Sequence, residues 1–310
     1  MLPQNIFQNW APRYEQLWDR QPTCVEHRIH EATLFSSDAL AQLIEHYPRE
    51  HYSIVQMGER GGHRFWREGD LAGLSGRQVL EAVANGRLWL NLRCIDRVDD
   101  RFAQLLDRIF RELNERMPGL KTLHHGAGLL ISSPHAQVYY HADLPGQALF
   151  QIAGRKRMFV YPPSPPFITA EQLESIAYYG LEVDVPYQAW YDEYAMIYDL
   201  QPGQMIYWPN NAPHRVENLE TINISLTINF MTEPIRRTQI VHLANGILRY
   251  QLGWTPRNHE TNGVAFWGKA VLQKMLRHNR WMRKAQAGRR PIEFMLDKTA
   301  AGFIVDLKQT

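Results

Sequence analysis

The sequence predicts a mainly β protein: a sandwich or barrel of short strands over residues 121–235, an α/β flank over residues 1–120, and a helical extension over residues 236–310. The central region consists of short apolar or alternating runs that prolines and glycines separate, such as QVYYHADL, ALFQIA and KRMFVY. Strands at this density, without long helices between them, are typical of all-β sandwiches and barrels. The chain has 310 residues, of which 45% are hydrophobic. A chain of this length buries about 75% of the surface that it exposes when unfolded, so its core needs no disulfide.

The N-terminal flank shows three helical patterns and three strand patterns. One helix is predicted to begin at Ser37-Asp38, and Ser75 is expected to cap a second one. Two strands joined by a glycine-rich turn are predicted in residues 51–70, and another strand in residues 87–92. The strongest helical pattern lies in residues 101–116, where six apolar side chains share one face: Phe102, Leu105, Leu106, Ile109, Phe110 and Leu113.

Composition argues against several classes of protein. No run approaches the roughly 18 consecutive apolar residues of a transmembrane helix. The first residues, MLPQNIFQNWAPRYEQ, lack the basic start and the hydrophobic run of a secretory signal. Two cysteines, Cys24 and Cys94, are too few for a disulfide framework or a zinc site. These features, with a net charge of only +2, predict a cytoplasmic protein that makes no membrane contact.

His141 and Asp143 are the first candidate metal ligands. They lie two residues apart in the predicted strand QVYYHADL, and alternate residues of a strand project to the same side. His214, which follows PGQMIYWPNNAP, is the candidate third ligand. Two histidines and one carboxylate on one face of an octahedron leave three positions open, which is the arrangement of non-haem Fe(II) oxygenases.

Further motifs accompany these residues in a fixed order. Residues 151–157 read QIAGRKR and are followed by Pro162-Pro163, Gly203 and Trp208-Pro209 precede His214, and a strand ISLTINF comes later. With these motifs, residues 134–234 resemble the JmjC/cupin-like Fe(II)- and 2-oxoglutarate-dependent oxygenases. The resemblance is greatest to the hydroxylase branch, which includes the asparaginyl hydroxylase of the hypoxia-inducible factor. It implies a double-stranded β-helix, also called a cupin or jelly-roll fold, for the core.

Two spacings repeat those of the family. Lys156 follows His141 by fifteen residues, and Asn229 follows His214 by fifteen residues. The resemblance implies that His141, Asp143 and His214 form the catalytic iron site and that Lys156 binds the distal carboxylate of 2-oxoglutarate. Asn229 belongs to the polar face of the alternating strand TINISLTINF. That face is expected to line the barrel around the cosubstrate, whereas the alternative is an ordinary strand with one face in water.

Two family residues are missing from this chain. The family has a threonine that bonds the cosubstrate three residues before its first metal histidine, and the equivalent residue here is Val138. Tyr139, which simple alternation places on the same face as His141, is the candidate replacement, with Tyr140 as the alternative; both also suit a packing role. The family glutamine that grips an asparagine substrate corresponds to Pro145. The resemblance therefore supports 2-oxoglutarate as cosubstrate but not asparagine as substrate.

The C-terminal extension combines an apolar helix pattern with a run of basic residues. Residues 269–290 contain eight basic side chains and no acid. These charges suit a nucleic-acid or acidic-partner surface. They also suit the solvated face of a helix whose other side dimerises, as C-terminal helices do in the family, and we favour this homodimer. The apolar positions of the predicted helix are Val271, Leu272, Met275, Leu276 and Met282.

The motifs predict an Fe(II)/2-oxoglutarate-dependent dioxygenase that uses O2 to hydroxylate an unactivated carbon. The resemblance to protein hydroxylases favours a peptide or protein side chain as substrate, and a free amino acid or natural product is the alternative. A cupin-like regulatory protein that binds metal without turnover is the competing class. The full ligand set and Lys156 argue against that class, because a protein without turnover has no need of both.

Overall fold

Two largely antiparallel β-sheets form the centre of the computed structural model, which describes residues 3–58, 65–180, 184–277 and 290–307. The strands within these residues are β1 (Phe7–Gln8), β2 (Thr23–His27), β3 (Tyr52–Met57), β4 (Trp66–Asp70), β5 (Leu88–Arg93), β6 (Thr122–Ser132), β7 (Gln137–His141), β8 (Gly146–Ala153), β9 (Lys156–Val160), β10 (Met196–Leu200), β11 (Gln204–Tyr207), β12 (His214–Asn218), β13 (Asn223–Thr232), β14 (Ile292–Leu296) and β15 (Ile304–Asp306). The helices are α1 (Arg13–Leu17), α2 (Ser37–Glu45), α3 (Gly76–Asn85), α4 (Ile95–Val98), α5 (Asp100–Arg116), α6 (Ala170–Tyr179), α7 (Glu233–Leu252) and α8 (Gly263–Leu276). Short 3-10 segments occupy Ile29–Glu31, Thr33–Phe35, Arg49–His51, Ala189–Tyr194 and Ala301–Phe303.

The two sheets enclose an apolar interior between them. Among the described residues, eleven strands form the large sheet in the order β1-β2-β11-β8-β13-β6-β5-β3-β4-β14-β15, and four form the small sheet in the order β10-β9-β12-β7. Leu149 and Ile206 of the large sheet pack against Met158, Val160 and Val216 of the small sheet. This β core with flanking helices confirms the predicted fold class.

The large sheet continues into the N-terminal flank. β5 pairs with β6 through contacts such as Leu90 opposite Ile131, so hydrogen bonding runs across the predicted boundary at residue 120. Helix α5 packs its six apolar side chains in one core cluster with Ile228 and Phe230 of β13. The amphipathic pattern predicted for residues 101–116 therefore places this helix directly on the core.

The helix caps agree with the sequence patterns at one site and differ at another. The Ser75 hydroxyl accepts a hydrogen bond from the backbone of Gln78, whose side chain bonds back to Ser75, which is a capping box. At the start of α2, Ser36 rather than Ser37-Asp38 is the cap, and its hydroxyl accepts from Ala39. The prediction was one residue late because three polar residues occur in succession.

The C-terminal extension contains strands as well as helices. α7 and α8 follow the core directly, and β14 then pairs in parallel with β4 of the flank. The strands β14 and β15 were not predicted, because their partner is distant in sequence. Met282 and the basic residues between 278 and 289 lie outside the described residues. Within the ranges described above, no helix has the length and apolar character needed to cross a bilayer.

Candidate active site

The pairing of β7 with β12 brings the three predicted ligands together. His141 is the last residue of β7 and lies directly opposite His214, the first residue of β12. Asp143 was predicted to lie inside the strand, but β7 ends at His141 and the carboxylate comes from the segment that follows. This end of the strand leaves Asp143 free to turn its side chain between the two imidazoles.

The three side chains form a compact set of donors. The Nε2 atom of His214 lies 3.3 Å from Oδ2 of Asp143, and Nε2 of His141 lies 3.9 Å from the same oxygen. One ligand atom from each of the three residues lies within 4.8 Å of the others, and no further group of this kind occurs in the described part of the chain. Asp143 and His214 are buried, and His141 is half-buried.

Backbone carbonyls orient both imidazoles. Nδ1 of His141 lies 2.7 Å from the carbonyl oxygen of Tyr139, and Nδ1 of His214 lies 3.1 Å from that of Ala212. A carbonyl can only accept, so each Nδ1 carries the hydrogen and each Nε2 presents its lone pair to the carboxylate side. Such contacts fix the tautomer and ring orientation of metal-binding histidines. Trp208 supports His214 from the side, with ring centroids 4.6 Å apart.

The carboxylate of Asp143 is held in its ionised form. Burial by itself raises the pKa of Asp143, but the proximity of the His214 and His141 side chains outweighs it, so the pKa lies below the ordinary value. The set therefore offers one anionic oxygen and two neutral nitrogens. This donor chemistry fits a divalent first-row metal such as Fe(II).

Lys156 is buried in the interior of the protein. It begins β9 on the same face as Met158 and Val160, which face the apolar interior, and its side chain is only 3% exposed. No carboxylate in the described ranges lies within ion-pair distance of it, and burial lowers the pKa of Lys156 to about 7. A small cavity of about 30 Å³ adjoins it, lined by Met57, Trp89, Leu130, Ser132, Ala136, Gln137, Val138, Leu149, Val216 and Asn218.

The strand register relates Lys156 to the ligand set. On β9 and β12, Val160 lies opposite His214, and Lys156 lies opposite Asn218. Four residues of strand separate the two pairs, which corresponds to roughly 13 Å. The candidate metal ligands therefore lie at one end of the interior-facing side chains of β9 and β12, and Lys156 lies at the other end.

The QIAGRKR motif forms the hairpin that presents Lys156. The side-chain amide of Gln151 donates to the carbonyl oxygens of Ala153 at 2.7 Å and Gly154 at 3.1 Å, which satisfies the turn between β8 and β9. Gly154 has a φ of +74°, and a Cβ there would lie 2.3 Å from the carbonyl oxygen of Ile222. The sequence identifies the motif only by its resemblance to the family, whereas the structure shows that its glutamine and glycine build this turn.

Asn229 lies on β13, whose two faces separate as predicted. The apolar residues Leu226, Ile228 and Phe230 belong to the core cluster that includes α5. On the opposite face, Ser225 donates to Oε1 of Gln151 at 2.8 Å. Asn229 is exposed on that second face and lies opposite Gln147 of β8, so its role toward a cosubstrate stays a prediction.

A β-bulge changes the expected position of Tyr139. His141 pairs with His214 and Val138 pairs with Val216, so β7 has one residue more than β12 between these pairs. The alternation that placed Tyr139 on the face of His141 does not hold across the bulge. The Tyr139 hydroxyl bonds the backbone of Phe65, at 2.9 Å to the nitrogen and 3.1 Å to the oxygen. Val138, and not Tyr139, lines the cavity beside Lys156.

Tyr140, the alternative replacement, faces away from this cavity. Its hydroxyl donates to the carbonyl oxygen of Phe167 at 2.7 Å, and its ring packs against Tyr161 and Tyr191. It therefore has the packing role that the sequence also allowed. Ser132 and Asn218 line the Lys156 cavity but were not identified from the sequence. Isolated polar residues in strands carry no pattern that distinguishes them.

Comparisons with known proteins agree with this geometry. Residues 89–235 match a family model described as a cupin-like domain. A solved structure of YcfD, a ribosomal oxygenase from Escherichia coli, in complex with cobalt and 2-oxoglutarate, is 18% identical with a TM-score of 0.51, over 96% of this chain and 76% of that chain. A further E. coli ycfD structure is 17% identical with a TM-score of 0.52, over 91% and 71% of the two chains. A search of curated proteins finds no match.

At these identities the structural likeness is evidence of a shared fold. It extends over nearly the whole chain, including the flank and the C-terminal extension. The matched family model spans the three candidate ligands and Lys156. Residues 89–235 of this chain are therefore similar to cupin-like domains, in agreement with the fold that the motifs predict.

Proposed function

We propose that this chain is an Fe(II)- and 2-oxoglutarate-dependent oxygenase that hydroxylates an unactivated carbon of a protein side chain. The observation that carries the proposal is the pairing of two features in one interior. Two oriented histidines and an ionised aspartate lie at one end, and a buried lysine that has no anionic partner among the described residues lies at the other. A dicarboxylate that binds metal through one end requires these two features together.

The residues have separate roles in this proposal. His141, Asp143 and His214 hold the metal, and the contacts of both Nδ1 atoms keep the Nε2 lone pairs directed at it. When bound, iron supplies the redox chemistry that couples oxidative decarboxylation of 2-oxoglutarate to hydroxylation. Lys156 neutralises the distal carboxylate, and a charge-assisted contact in an apolar interior is strong and orienting. Leu149 and Val216 exclude water from the space between.

A protein substrate is favoured over a small molecule. The E. coli structure of shared fold is described as a ribosomal oxygenase, and its likeness covers the flanks as well as the core. A free amino acid or natural product is the alternative substrate. A metal-binding protein without turnover is the alternative class, and Lys156 argues against it, because an unpaired buried cation is destabilising unless it binds an anion.

We propose that the chain forms a homodimer through α8. Four exposed apolar side chains follow one stripe of this helix, with exposures of 58% to 91%: Val264, Trp267, Val271 and Met275. Their spacing of three or four residues is that of a helix-packing face. The opposite face, which includes Phe266, packs within the protein. A second copy of the same helix supplies an apolar partner for the stripe.

We infer a reducing, cytoplasmic environment from the two thiols. Cys24 and Cys94 are both free. Burial, together with the charge of Glu26, raises the pKa of Cys24 to about 11, so this thiol is unreactive. Free thiols persist in the reducing conditions of the cytoplasm.

The test is a search for product and coproduct together. Cell lysate is incubated with the protein, Fe(II), 2-oxoglutarate and ascorbate, and proteins are then searched for oxygen addition by mass spectrometry. We expect a product heavier by one oxygen atom and succinate formation that depends on the protein. Asp143→Ala should abolish both, and Asp38→Ala, which removes an exposed carboxylate, should abolish neither. Bound metal without succinate formation would favour the non-catalytic class.

A further inference from the structure

Ser132 lies beside Lys156 at the end of the interior opposite the metal ligands. It ends β6 in the large sheet, whereas Lys156 begins β9 in the small sheet. Both side chains line the same small cavity, and Ser132 is buried. Both sheets therefore contribute polar side chains to the cavity: Ser132 comes from the large sheet, and Lys156, Gln137 and Asn218 come from the small sheet.

Asn218 determines which way the Ser132 hydroxyl points. Its Nδ2 atom donates to the carbonyl oxygen of Ser133 at 2.8 Å and to Oγ of Ser132 at 2.7 Å. Because a carbonyl can only accept, the amide nitrogen and not the amide oxygen must face Ser133. Oγ of Ser132 is therefore the acceptor in its contact with Asn218. Its own hydrogen remains to be donated elsewhere.

The Ser132 hydrogen has no acceptor in the structure as described. Within the described residues, no oxygen or nitrogen accepts a hydrogen bond from Oγ of Ser132. The neighbouring Ser133 shows the contrast: its Oγ donates to the carbonyl of Val83 at 2.6 Å and accepts from the backbone of Leu88 at 2.7 Å. A buried donor without an acceptor is destabilising. Its position beside a buried cation without an anion indicates one anionic ligand for both.

We propose that Ser132 donates a hydrogen bond to the distal carboxylate of 2-oxoglutarate beside Lys156, with Asn218 as its positioning residue. This inference rests on the proposed function. The family threonine corresponds to Val138, which lines the same cavity but has no hydroxyl. The hydroxyl donor in this chain therefore comes from the opposite sheet.

The test compares two 2-oxo acids that differ at one end. Anaerobic, Fe(II)-loaded protein is titrated in a calorimeter with 2-oxoglutarate and with 2-oxopentanoate, which lacks the distal carboxylate. Ser132→Ala should weaken 2-oxoglutarate binding about 10- to 100-fold, as expected for a lost hydrogen bond to a charged group. It should leave 2-oxopentanoate binding within about twofold. Ser53→Ala, which removes a half-buried hydroxyl bonded to Glu68 on β3, is the matched control and should change neither.

The outcomes separate this inference from the proposed function. Unchanged 2-oxoglutarate affinity in Ser132→Ala, or equal weakening of both ligands, would overturn the role of Ser132. Where the alanine variant does not fold, Ser132→Cys replaces it, because a thiol fills the site but donates only weakly; the same selective loss is expected, and wild-type affinity would overturn the role. A wild-type protein that binds neither 2-oxo acid would refute the proposed function itself.

Discussion

At the scale of single residues, backbone contacts prepare the ligand set before any metal binds. The carbonyls of Tyr139 and Ala212 fix the two imidazoles, and His214 keeps Asp143 ionised. His141, Asp143 and His214 each supply one of the three protein ligands of the proposed metal site. The fold has a separate apolar core, so the site and the stability of the protein are largely independent.

Asp143→Ala and His214→Ala are each expected to abolish turnover and leave the protein folded. Loss of one ligand in three removes metal affinity, whereas a core of this size does not depend on a catalytic metal. Iron content, 2-oxoglutarate decarboxylation and the thermal unfolding midpoint check this. A variant with wild-type iron content and decarboxylation would show that the ligands are assigned wrongly.

Lys156→Ala is expected to weaken 2-oxoglutarate binding severely while iron binding stays nearly unchanged. Loss of a charge-assisted contact in a desolvated site costs about 2–5 kcal/mol, or roughly 30- to several-thousand-fold in affinity. Lys156→Arg should restore little, because the guanidinium is larger and requires a fork of acceptors. Anaerobic calorimetry measures both. Near-wild-type affinity in both variants would remove the main support for this cosubstrate.

The affinity for 2-oxoglutarate is expected to fall as pH rises above about 7. Only the charged ammonium of Lys156 can pair with the carboxylate, and its pKa in the ligand-free protein is about 7. Above that value the affinity should drop by up to about tenfold per pH unit. The stability of the ligand-free protein changes with pH in the opposite direction. Between pH 7 and the ordinary lysine pKa, the unfolded chain binds a proton that the folded protein does not, so the free energy of unfolding rises with pH in this range. Titrations from pH 6.5 to 8.5 with 2-oxoglutarate and 2-oxopentanoate test this, and an equal slope for both ligands would contradict it.

At the scale of elements, the hairpin between β8 and β9 determines where Lys156 stands. Gln151 satisfies its turn, and Gly154 permits it, because a side chain there would collide with the backbone of Ile222. The bulge in β7, a strand of the same small sheet as β9, likewise determines which side chains face the interior. It brings Val138 and His141 to the same face although they are three residues apart.

Gly154→Ala is expected to destabilise the protein by about 1–3 kcal/mol, since its φ of +74° strains any other residue. It should also weaken 2-oxoglutarate binding, because the hairpin carries Lys156, while iron binding persists. Gly119→Ala is the matched control, since a Cβ there meets nothing within 4 Å. Urea unfolding and calorimetry measure the two effects. Equal behaviour of the two variants would show that the turn is not required.

At the scale of the whole molecule, a single chain forms the core and the candidate site, whereas the apolar stripe on α8 is left exposed to solvent. Its four apolar side chains face solvent on a helix that is otherwise anchored by Phe266. Exposed apolar surfaces of this kind mark association sites. The metal ligands do not lie on this helix, so dimer formation and ligand binding are separable.

Trp267→Glu is expected to convert a dimer into a monomer with unchanged 2-oxoglutarate affinity, because a carboxylate in the centre of the stripe cannot be buried unpaired. Tyr194→Glu, at an exposed aromatic outside the stripe, is the control and should stay dimeric. Light scattering after gel filtration gives the masses. A monomeric wild-type protein, or a dimeric Trp267→Glu, would exclude this interface.

Local patterns in the sequence predicted many of the elements and the candidate site residues. The helix over residues 101–116 follows from its periodicity, and the alternation along β13 correctly separates its two faces. His141, Asp143, His214 and Lys156 could be identified because their spacing repeats a known order. Each of these signals is contained in a short stretch of chain, where side-chain direction follows from the period of the backbone.

Only the tertiary structure decided which side chains face one another across the interior. Because of the bulge, Val138 and not Tyr139 faces the interior. The bulge depends on how β7 pairs with β12, and no pattern in the sequence of β7 predicts it. The contact of Asn218 with Ser132 joins residues that are 86 positions apart. Pairing register is set by the packing of the two whole sheets, and a shift of one residue reverses every side chain of a strand. Interior contacts such as that between Ser132 and Asn218 can therefore be identified only from the three-dimensional structure.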